Sequence, residues 1–228
     1  LSETSPVTNF NTVGHIRLGT VGLPVKNTEV KIGAGDEILI RGPQLMVGYY
    51  KNKTATREAF TRDGFLRTGD TGVIDHEGNL IITGRLKDII ITSGGKNISP
   101  QNIENSLKES PFIEQVAVIG DNRNYLTALI VPSFPDLEAW AAKNQIAFGS
   151  KEELLSHQKV NELFDAEMKK KMKGFGRVEE IKKYRLIPNE WTQTSGELTP
   201  TLKLKRRVIN SRYSSLIDEM YKENSITM

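Results

Sequence analysis

The stretch RTGD, residues 67–70, places a carboxylate beside a glycine. A carboxylate can accept two hydrogen bonds at once, and a vicinal diol such as a ribose offers two hydroxyl donors. Asp70 is therefore a candidate for binding a ribose. An aspartate next to a glycine is also common in simple turns, so this stretch taken alone favours a turn.

A second candidate is the stretch GRLKDIIITSGGKNISPQNIE, residues 84–104. Its apolar run, residues 89–91, is typical of a buried strand. The pair Gly94-Gly95 indicates either a turn or a place where a ligand approaches the backbone closely. Ser99 followed by Pro100 is typical of a helix start. Pattern alone favours a strand, a turn and a helix over a ligand path along the strand.

Basic residues concentrate in KKKMKGFGR, residues 169–177, and in KLKRR, residues 203–207. Such clusters suit a polyphosphate, an anionic membrane surface or nucleic acid, although a solvated helix face is the commoner explanation. Thr199 or Thr201 is a candidate cap for a basic helix at the second cluster. Basic and aromatic residues do not interleave as stacking readers of nucleic acid require, which argues against nucleic-acid binding.

The composition limits the classes of chemistry that the chain can perform. Of 228 residues, 37% are hydrophobic and 26% are charged, as in ordinary globular proteins, and the formal net charge is only +3. The lack of cysteine excludes disulfides, thiolate catalysis and cysteine-based metal sites, and it fits a reducing compartment. The longest apolar runs fall well short of the ~20 residues that span a bilayer.

The elements that must position these residues change in character near Gly84. Residues 13–82 show short alternating apolar stretches around turns at residues 33–35 and 77–79, which predicts antiparallel hairpins in a small barrel or sandwich, with a helical turn or two near residues 53–60. Later segments predict a helix that starts at Pro100, helices near residues 135–145, 151–157 and 160–172, strands near 113–121, 125–132 and 178–188, and one final amphipathic helix from Leu204 to Met220.

Five motifs occur in a fixed order: Ser2-Glu3-Thr4, GDEILIRGPQLMVGYY, DGFLRTGD, the 84–104 stretch and GELTPTLKLKRR. Together they resemble the acyl-adenylate-forming enzymes, in the style of long-chain fatty acid–CoA ligases, over essentially the whole chain. The resemblance implies activation of a fatty acid with ATP and Mg²⁺ to acyl-AMP and pyrophosphate, followed by transfer of the acyl group to CoA. For residues 84–104, the resemblance favours a ligand path along the strand over a purely structural strand, turn and helix.

The resemblance further implies roles for individual residues. Lys203 would bridge the substrate carboxylate and the α-phosphate during adenylation, and Glu3 would help to hold Mg²⁺. The other expected contacts are with the nucleotide or CoA: Ser2 with the α-phosphate, Asp70 with the ribose hydroxyls, Arg85 with the nucleotide, and Gly94 and Gly95 with the pantetheine arm of CoA.

The resemblance implies an α+β fold. Residues 1–83 would form a β-rich, barrel-like subdomain ending a large N-terminal domain, residues 84–88 a hinge at Lys87 and Asp88, and residues 89–228 a mobile α+β domain. Two positions depart from the family pattern: Leu202 stands where a glycine usually precedes the lysine, and Lys87 where many relatives have aspartate.

The Ser/Thr/Gly-rich loop for the β- and γ-phosphates and the large acyl-binding domain do not occur in this sequence. We therefore expect the chain to represent the C-terminal portion of a ligase and to be inactive alone. Two alternatives stay open: a fatty acyl-AMP ligase that loads a carrier protein, and a non-catalytic module that binds nucleotide or CoA. We expect a cytoplasmic protein, with residues 169–173 as the place of any peripheral membrane contact.

Overall fold

The computed structural model describes residues 1–222, which divide into two compact units: the first is Leu1–Ile89 and the second begins at Ile90. The first unit is rich in short antiparallel strands, and the second mixes strands and helices. The predicted α+β class, with a β-rich part preceding an α+β part, is confirmed. The predicted hinge at residues 84–88 lies just before the division between the units, and its motion stays a prediction.

The first unit is built on a four-stranded antiparallel sheet in chain order, with a separate two-stranded ribbon. The ribbon pairs β1 (Asn9–Phe10) with β2 (Leu23–Pro24), and the sheet contains β3 (Glu29–Ile32), β4 (Glu37–Arg41), β5 (Leu66–Ile74) and β6 (Leu80–Arg85). Helix α1 (Lys53–Ala59) lies between β4 and β5 in the chain. The turns predicted at residues 33–35 and 77–79 join β3 to β4 and β5 to β6, as expected.

Strand β5 contains a bulge at the RTGD stretch. Glu37 faces Thr71 and Leu39 faces Arg67, so residues 68–70 of β5 lie opposite the single residue 38 of β4. Gly69 has a φ of +69°, a conformation that favours glycine. The interpretation of Asp70 as a simple turn residue is therefore wrong: Asp70 lies within a strand, just after a bulged glycine.

The second unit opens with a small hairpin, β7 (Ile90–Ile91) paired with β8 (Asn97–Ile98), and continues with a three-stranded sheet. That sheet has the order β11-β10-β9, in which β9 (Ile113–Ile119) is antiparallel and β11 (Ile181–Leu186) parallel to the central β10 (Leu126–Pro132). Its helices are α2 (Pro100–Lys108), α3 (Phe134–Lys143), α4 (Lys151–Ser156), α5 (Gln158–Lys171), α6 (Arg206–Arg212) and α7 (Ser214–Lys222).

Alternating side chains of the three-stranded sheet pack into two hydrophobic clusters, one on each face. Val116, Val118 and Ile130 belong to the cluster that also contains the buried faces of α2 to α5. Ala117 and Leu129 belong to the cluster formed with the segment after β11 and the last two helices. This alternation is the period-2 pattern of a sheet covered on both sides, and it places the Lys203 segment on one face of the unit.

Three predictions about local structure are wrong. The run at residues 89–91 is not a fully buried strand, because β7 contains only two residues and Ile91 is 50% exposed. The final helix is two helices that meet at Tyr213, and Leu204 precedes both. Thr199 and Thr201 cap no helix, since α6 begins only at Arg206.

Among residues 1–222, no helix is both long and apolar enough to cross a membrane.

Candidate active site

Asp70 and Arg85 form a pair on neighbouring strands. The register of β5 and β6 places the two residues directly opposite each other. Arg85 Nε lies 3.3 Å from Asp70 Oδ1, and the two side chains are 53% and 22% exposed. The guanidinium is thus close enough to orient the carboxylate, while both groups stay accessible to a ligand. A carboxylate held in this way can accept hydrogen bonds from a diol.

The predicted metal residue Glu3 lies in a short 3₁₀ turn, Ser2–Thr4. Its backbone carbonyl accepts a hydrogen bond from Met46 N–H at 2.8 Å, and its carboxylate accepts one from the Tyr49 hydroxyl at 3.1 Å. Loss of solvation, together with the hydrogen bond to Glu3, raises the pKa of Tyr49. The turn is anchored by Thr4, which is fully buried, whereas Ser2 is exposed.

A magnesium ion would find one protein carboxylate at Glu3. Residues 1–222 contain no group of three or more His, Asp or Glu side chains that could hold a metal ion by themselves. Mg²⁺ bound to a nucleotide usually takes only one or two protein carboxylates, because phosphate oxygens and water complete its octahedron. The half-buried carboxylate of Glu3, fixed by Tyr49, therefore fits an Mg²⁺ ion that is bound mainly to the nucleotide. It does not fit a metal site made of protein ligands alone.

Lys203 lies on a tight turn, residues 198–204. Leu198 and Leu204 form a β-bridge at its base, and Thr199 N–H donates to Lys203 C=O at 2.8 Å. The Thr199 hydroxyl accepts the Lys203 N–H at 3.0 Å. The backbone of Lys203 is therefore fixed at both of its polar atoms, and its side chain is exposed. Such a turn presents an ammonium group to a ligand at a defined point.

Leu202, the residue before Lys203, has an unusual backbone conformation. Its φ is +58°, in the left-handed region where glycine is favoured. The side chain is 68% exposed. The turn therefore has the backbone geometry expected for a glycine, although the sequence supplies leucine. The residue at this position differs from the family pattern, but its backbone conformation is still one that suits glycine.

An ion pair fixes the chain just after the Lys203 turn. Both carboxylate oxygens of Glu104, in α2, accept hydrogen bonds from Arg206 Nη2 at 2.7 Å, and Val118 N–H donates to Glu104 Oε1 at 2.8 Å. Glu104 is 2% exposed. Burial raises the pKa of Glu104, although Arg206 and Val118 act in the opposite direction. The pair joins α6 to α2 and β9, and so it holds one end of the turn.

A second buried carboxylate holds the other end of the turn. Glu197 is 2% exposed and accepts hydrogen bonds from Ser195 and Arg212, and its carbonyl accepts from Lys205 N–H at 2.7 Å. Burial would raise the pKa of Glu197, but these partners outweigh it and lower the pKa. The Lys203 turn is thus held on both sides by buried carboxylates.

The glycine pair lies in the loop between β7 and β8. Thr92 organises this loop, since its N–H donates to Lys96 C=O at 3.1 Å and its C=O accepts Gly95 N–H at 2.8 Å. Gly95 has a φ of +73° and therefore needs to be glycine, whereas a Cβ on Gly94 would meet only Thr92 Oγ1 at 3.9 Å. Both glycines are exposed. The loop leaves bare backbone that a ligand can approach.

The predicted site residues fall into two groups by unit. The first unit contains Ser2, Glu3, Asp70, Arg85, Lys87 and Asp88, and the second contains Gly94, Gly95 and Lys203. Of these, the structure brings Asp70 and Arg85 into direct contact. Lys87 and Asp88 occupy a 3₁₀ turn, Leu86–Asp88, immediately after β6. The roles of all of these residues stay predictions.

Sequence reasoning missed the buried carboxylates that hold the Lys203 turn. One signal was available for Glu104: it directly follows Ile103 and precedes Leu107 by three residues, so it lies beside the apolar stripe of α2. A charged residue at such a position needs a partner, and the basic cluster at residues 203–207 could supply one. Nothing in the sequence indicated which basic residue it would be.

Comparisons with known proteins show which family the chain resembles. A family profile described as the AMP-binding enzyme C-terminal domain matches residues 87–225. The long-chain-fatty-acid–CoA ligase FadD15 of Mycobacterium bovis is 39% identical over 97% of this chain, and the long-chain-fatty-acid–[acyl-carrier-protein] ligase AEE15 of Arabidopsis thaliana is 32% identical over 97%.

Among solved structures, the A domain of carboxylic acid reductase from Segniliparus rugosus, in complex with AMP and a co-purified carboxylic acid, is similar with a TM-score of 0.69. It is 23% identical, and the match covers 90% of this chain and 33% of that chain, which supports the fold. The two curated relatives are longer: the chain spans 37% of the first and 32% of the second.

Proposed function

We propose, from the premise that this chain belongs to the AMP-binding enzyme C-terminal domain family, that it forms part of a longer fatty acid–CoA ligase. That protein would convert a fatty acid and ATP to acyl-AMP and pyrophosphate, and would then pass the acyl group to CoA. The observation that carries the proposal is the Lys203 turn, which presents an exposed ammonium group from a backbone fixed on both sides. The 39% identity to a long-chain-fatty-acid–CoA ligase supports the substrate class.

In the first half-reaction, Lys203 would stabilise the charge that develops as the fatty acid carboxylate attacks the α-phosphate. The approach of two anions concentrates negative charge on the phosphoryl oxygens, and a positioned cation stabilises this charge more in the transition state than in the ground state. One such group in a desolvated site contributes roughly a hundredfold in rate. Lysine suits the task because its charge is compact and its stem is flexible.

The first unit would bind the nucleotide. Asp70 would accept hydrogen bonds from both ribose hydroxyls, while Arg85 orients the carboxylate and contacts the nucleotide. Ser2 would reach the α-phosphate with its hydroxyl, and Glu3 would hold Mg²⁺. When bound, the ion would neutralise phosphate charge and polarise the phosphoryl oxygens.

In the second half-reaction, the loop of Gly94 and Gly95 would lie beside the pantetheine arm of CoA. Two adjacent residues without side chains let a narrow ligand pass close to the backbone. Residues 84–88 would act as a hinge, with Lys87 and Asp88 absorbing a change of backbone angles between the two half-reactions. We further propose that this chain is inactive without the rest of the protein, and that the protein acts in the cytoplasm, with residues 169–173 as the place of any peripheral membrane contact.

A second candidate differs only in the acceptor. The 32% identity to an acyl-carrier-protein ligase favours a carrier protein as the alternative to CoA. Both candidates share the adenylation chemistry, so Lys203 and Asp70 would have the same roles in each.

The test uses the longer protein with ATP, Mg²⁺ and a series of fatty acids, in three parallel reactions: without acceptor, with CoA, and with a phosphopantetheinylated carrier protein. AMP, pyrophosphate and acyl product are measured. The proposal predicts acyl-CoA only when all components are present. Acyl-AMP that accumulates in the presence of CoA and is consumed by the carrier protein would select the second candidate. Failure to activate any fatty acid would exclude both.

A further inference from the structure

Glu37, the first residue of β4, is a buried carboxylate with no role in the proposed mechanism so far. Its side chain is only 5% exposed. A carboxylate taken out of water needs charged or hydrogen-bonding partners, because its desolvation is otherwise costly. Glu37 Oε2 accepts a hydrogen bond from Arg67 Nη1 at 2.9 Å, and Glu37 Oε1 accepts one from Gly69 N–H at 3.2 Å. Both partners lie on the neighbouring strand β5.

The segment that Glu37 holds is the bulge of β5. Gly69, which donates its N–H to Glu37, is the residue with the left-handed φ of +69°. Thr68 supports the same distortion: its hydroxyl donates to Ile38 C=O at 2.7 Å and accepts Asp70 N–H at 3.1 Å. A bulge re-aims the side chains that follow it and is often found next to functional sites. The residue re-aimed here is Asp70.

The bulge determines which residue faces Arg85. The register on the other side of β5 pairs Asp70 with Arg85 and Thr71 with Gly84, and then shifts between Thr71 and Gly72. A bulge that relaxed by one residue would turn the Asp70 side chain to the opposite face of the sheet, because side chains alternate along a strand. The bonds from Glu37 to Gly69 and Arg67 oppose that relaxation.

We propose that Glu37 is a positioning residue that fixes Asp70 for recognition of the two ribose hydroxyls of the nucleotide. This inference rests on the proposed function, which assigns the ribose to Asp70. Glu37 itself touches no substrate. Its carboxylate acts through the backbone of Gly69, and its ion pair with Arg67 holds the carboxylate in place.

The test compares ATP with 2′-deoxy-ATP, because only ATP carries the diol that Asp70 would bind. The ratio of kcat/KM for the two nucleotides is measured in the adenylation reaction of the longer protein. Asp70→Asn is expected to lower this ratio strongly. Glu37→Ala, which removes the acceptor for Gly69 N–H, is expected to lower the ratio about five- to tenfold. The double variant Glu37→Ala/Asp70→Asn should show no further loss, since both changes remove the same contact.

Glu29→Gln supplies a matched control in the same sheet. Glu29 also bonds an arginine, accepting hydrogen bonds from Arg41 at 3.0 and 2.7 Å, but its carboxylate is 61% exposed and lies away from the bulge. Exposed ion pairs contribute little to stability. The control should therefore leave both the nucleotide ratio and the thermal unfolding temperature unchanged. A general loss of stability in Glu37→Ala would slow both nucleotides equally, and so it would leave the ratio intact.

The outcomes separate this inference from the proposed function. If Asp70→Asn lowers the ratio and Glu37→Ala leaves it unchanged, the inference is wrong and the proposed function stands. If Asp70→Asn itself leaves the ratio unchanged, Asp70 does not bind the ribose and the inference falls with that assignment. Should Glu37→Ala fail to fold, Glu37→Met decides, since methionine fills a similar volume and also removes the acceptor for Gly69 N–H. A ratio between those of the parent and Asp70→Asn supports the inference, and an unchanged ratio overturns it.

Discussion

Replacing Arg206 by methionine should destabilise the second unit by about 3–5 kcal/mol at neutral pH. The substitution removes both hydrogen bonds from Arg206 Nη2 to the Glu104 carboxylate, each 2.7 Å long, and the bond from Arg206 Nη1 to Val118 C=O. Glu104 is 2% exposed and would keep only its bond from Val118 N–H. The cost arises because a buried charge loses its counter-ion.

The loss should depend on pH in a defined direction. Burial already raises the pKa of Glu104 in the folded protein. Without Arg206 the pKa should rise further, so the folded state binds a proton that the unfolded state has released. Stability then falls as pH rises, by about 1.4 kcal/mol for each pH unit over which the two states differ by one proton. Arg206→Met should therefore be closest to the parent in stability near pH 4.5 and furthest from it above pH 7.

Urea-induced unfolding followed by tryptophan fluorescence measures this effect in the relevant unit. Both tryptophans, Trp140 and Trp191, lie in the second unit, and Trp191 is 1% exposed. Arg207→Met is the matched control, because Arg207 is exposed. The double variant Glu104→Leu/Arg206→Met should recover most of the loss, because it leaves no buried charge unpaired. A loss below about 1 kcal/mol at pH 7.5, or an equal loss at pH 5, would refute the reasoning.

Three further predictions concern the glycine loop and the Lys203 turn. Gly95→Ala should cost about 1 kcal/mol in unfolding free energy because φ is +73°, whereas Gly94→Ala should cost almost nothing; equal effects would contradict the loop geometry. Leu202→Gly should be more stable than Leu202→Ala by about 1 kcal/mol in unfolding free energy, because both variants lose the leucine side chain and only glycine accepts a φ of +58° freely. A more stable alanine variant would be inconsistent with that φ. Gly94→Leu in the longer protein should slow thioester formation and leave the rate of acyl-AMP formation unchanged. Separate assays of the two half-reactions measure this difference, and equal rates relative to the parent in both would show that Gly94 does not face the pantetheine arm.

Sequence patterns predicted the elements that local chemistry determines. Pro100 after Ser99 correctly placed the start of α2, and the alternating stretches correctly placed the hairpins of the first unit. These features depend on residues close together in the chain, where cap, turn and periodicity signals are strong.

The failures arose where tertiary contacts override local pattern. The helical spacing from Leu204 to Met220 suggested one helix, but Leu204 is drawn into a bridge with Leu198, and α6 ends before Tyr213. The glycine at position 69 suggested a turn, but Glu37 holds it in a bulge. Neither contact has a sequence signature, because the partners lie six and 32 residues apart.

The sequence supplied candidate site residues but not their geometry. Motif order named Asp70, Arg85 and Lys203 as candidates, yet the 3.3 Å contact between Asp70 and Arg85 became known only from the strand register. The buried carboxylates Glu104 and Glu197 have no part in the motif chemistry, so attention to reactive groups alone could not find them. Their importance lies in ion pairs and hydrogen bonds that form only in the folded chain.

The most direct test of the proposed chemistry is to measure both half-reactions of Lys203→Ala in the longer protein. Acyl-AMP formation is followed by pyrophosphate exchange, and thioester formation by supplying preformed acyl-AMP and CoA, with Lys205→Ala as the neighbouring control. We predict that Lys203→Ala slows the first reaction at least about a hundredfold and leaves the second close to the parent rate. Equal loss in both reactions, or an unaffected first reaction, would contradict the account of Lys203.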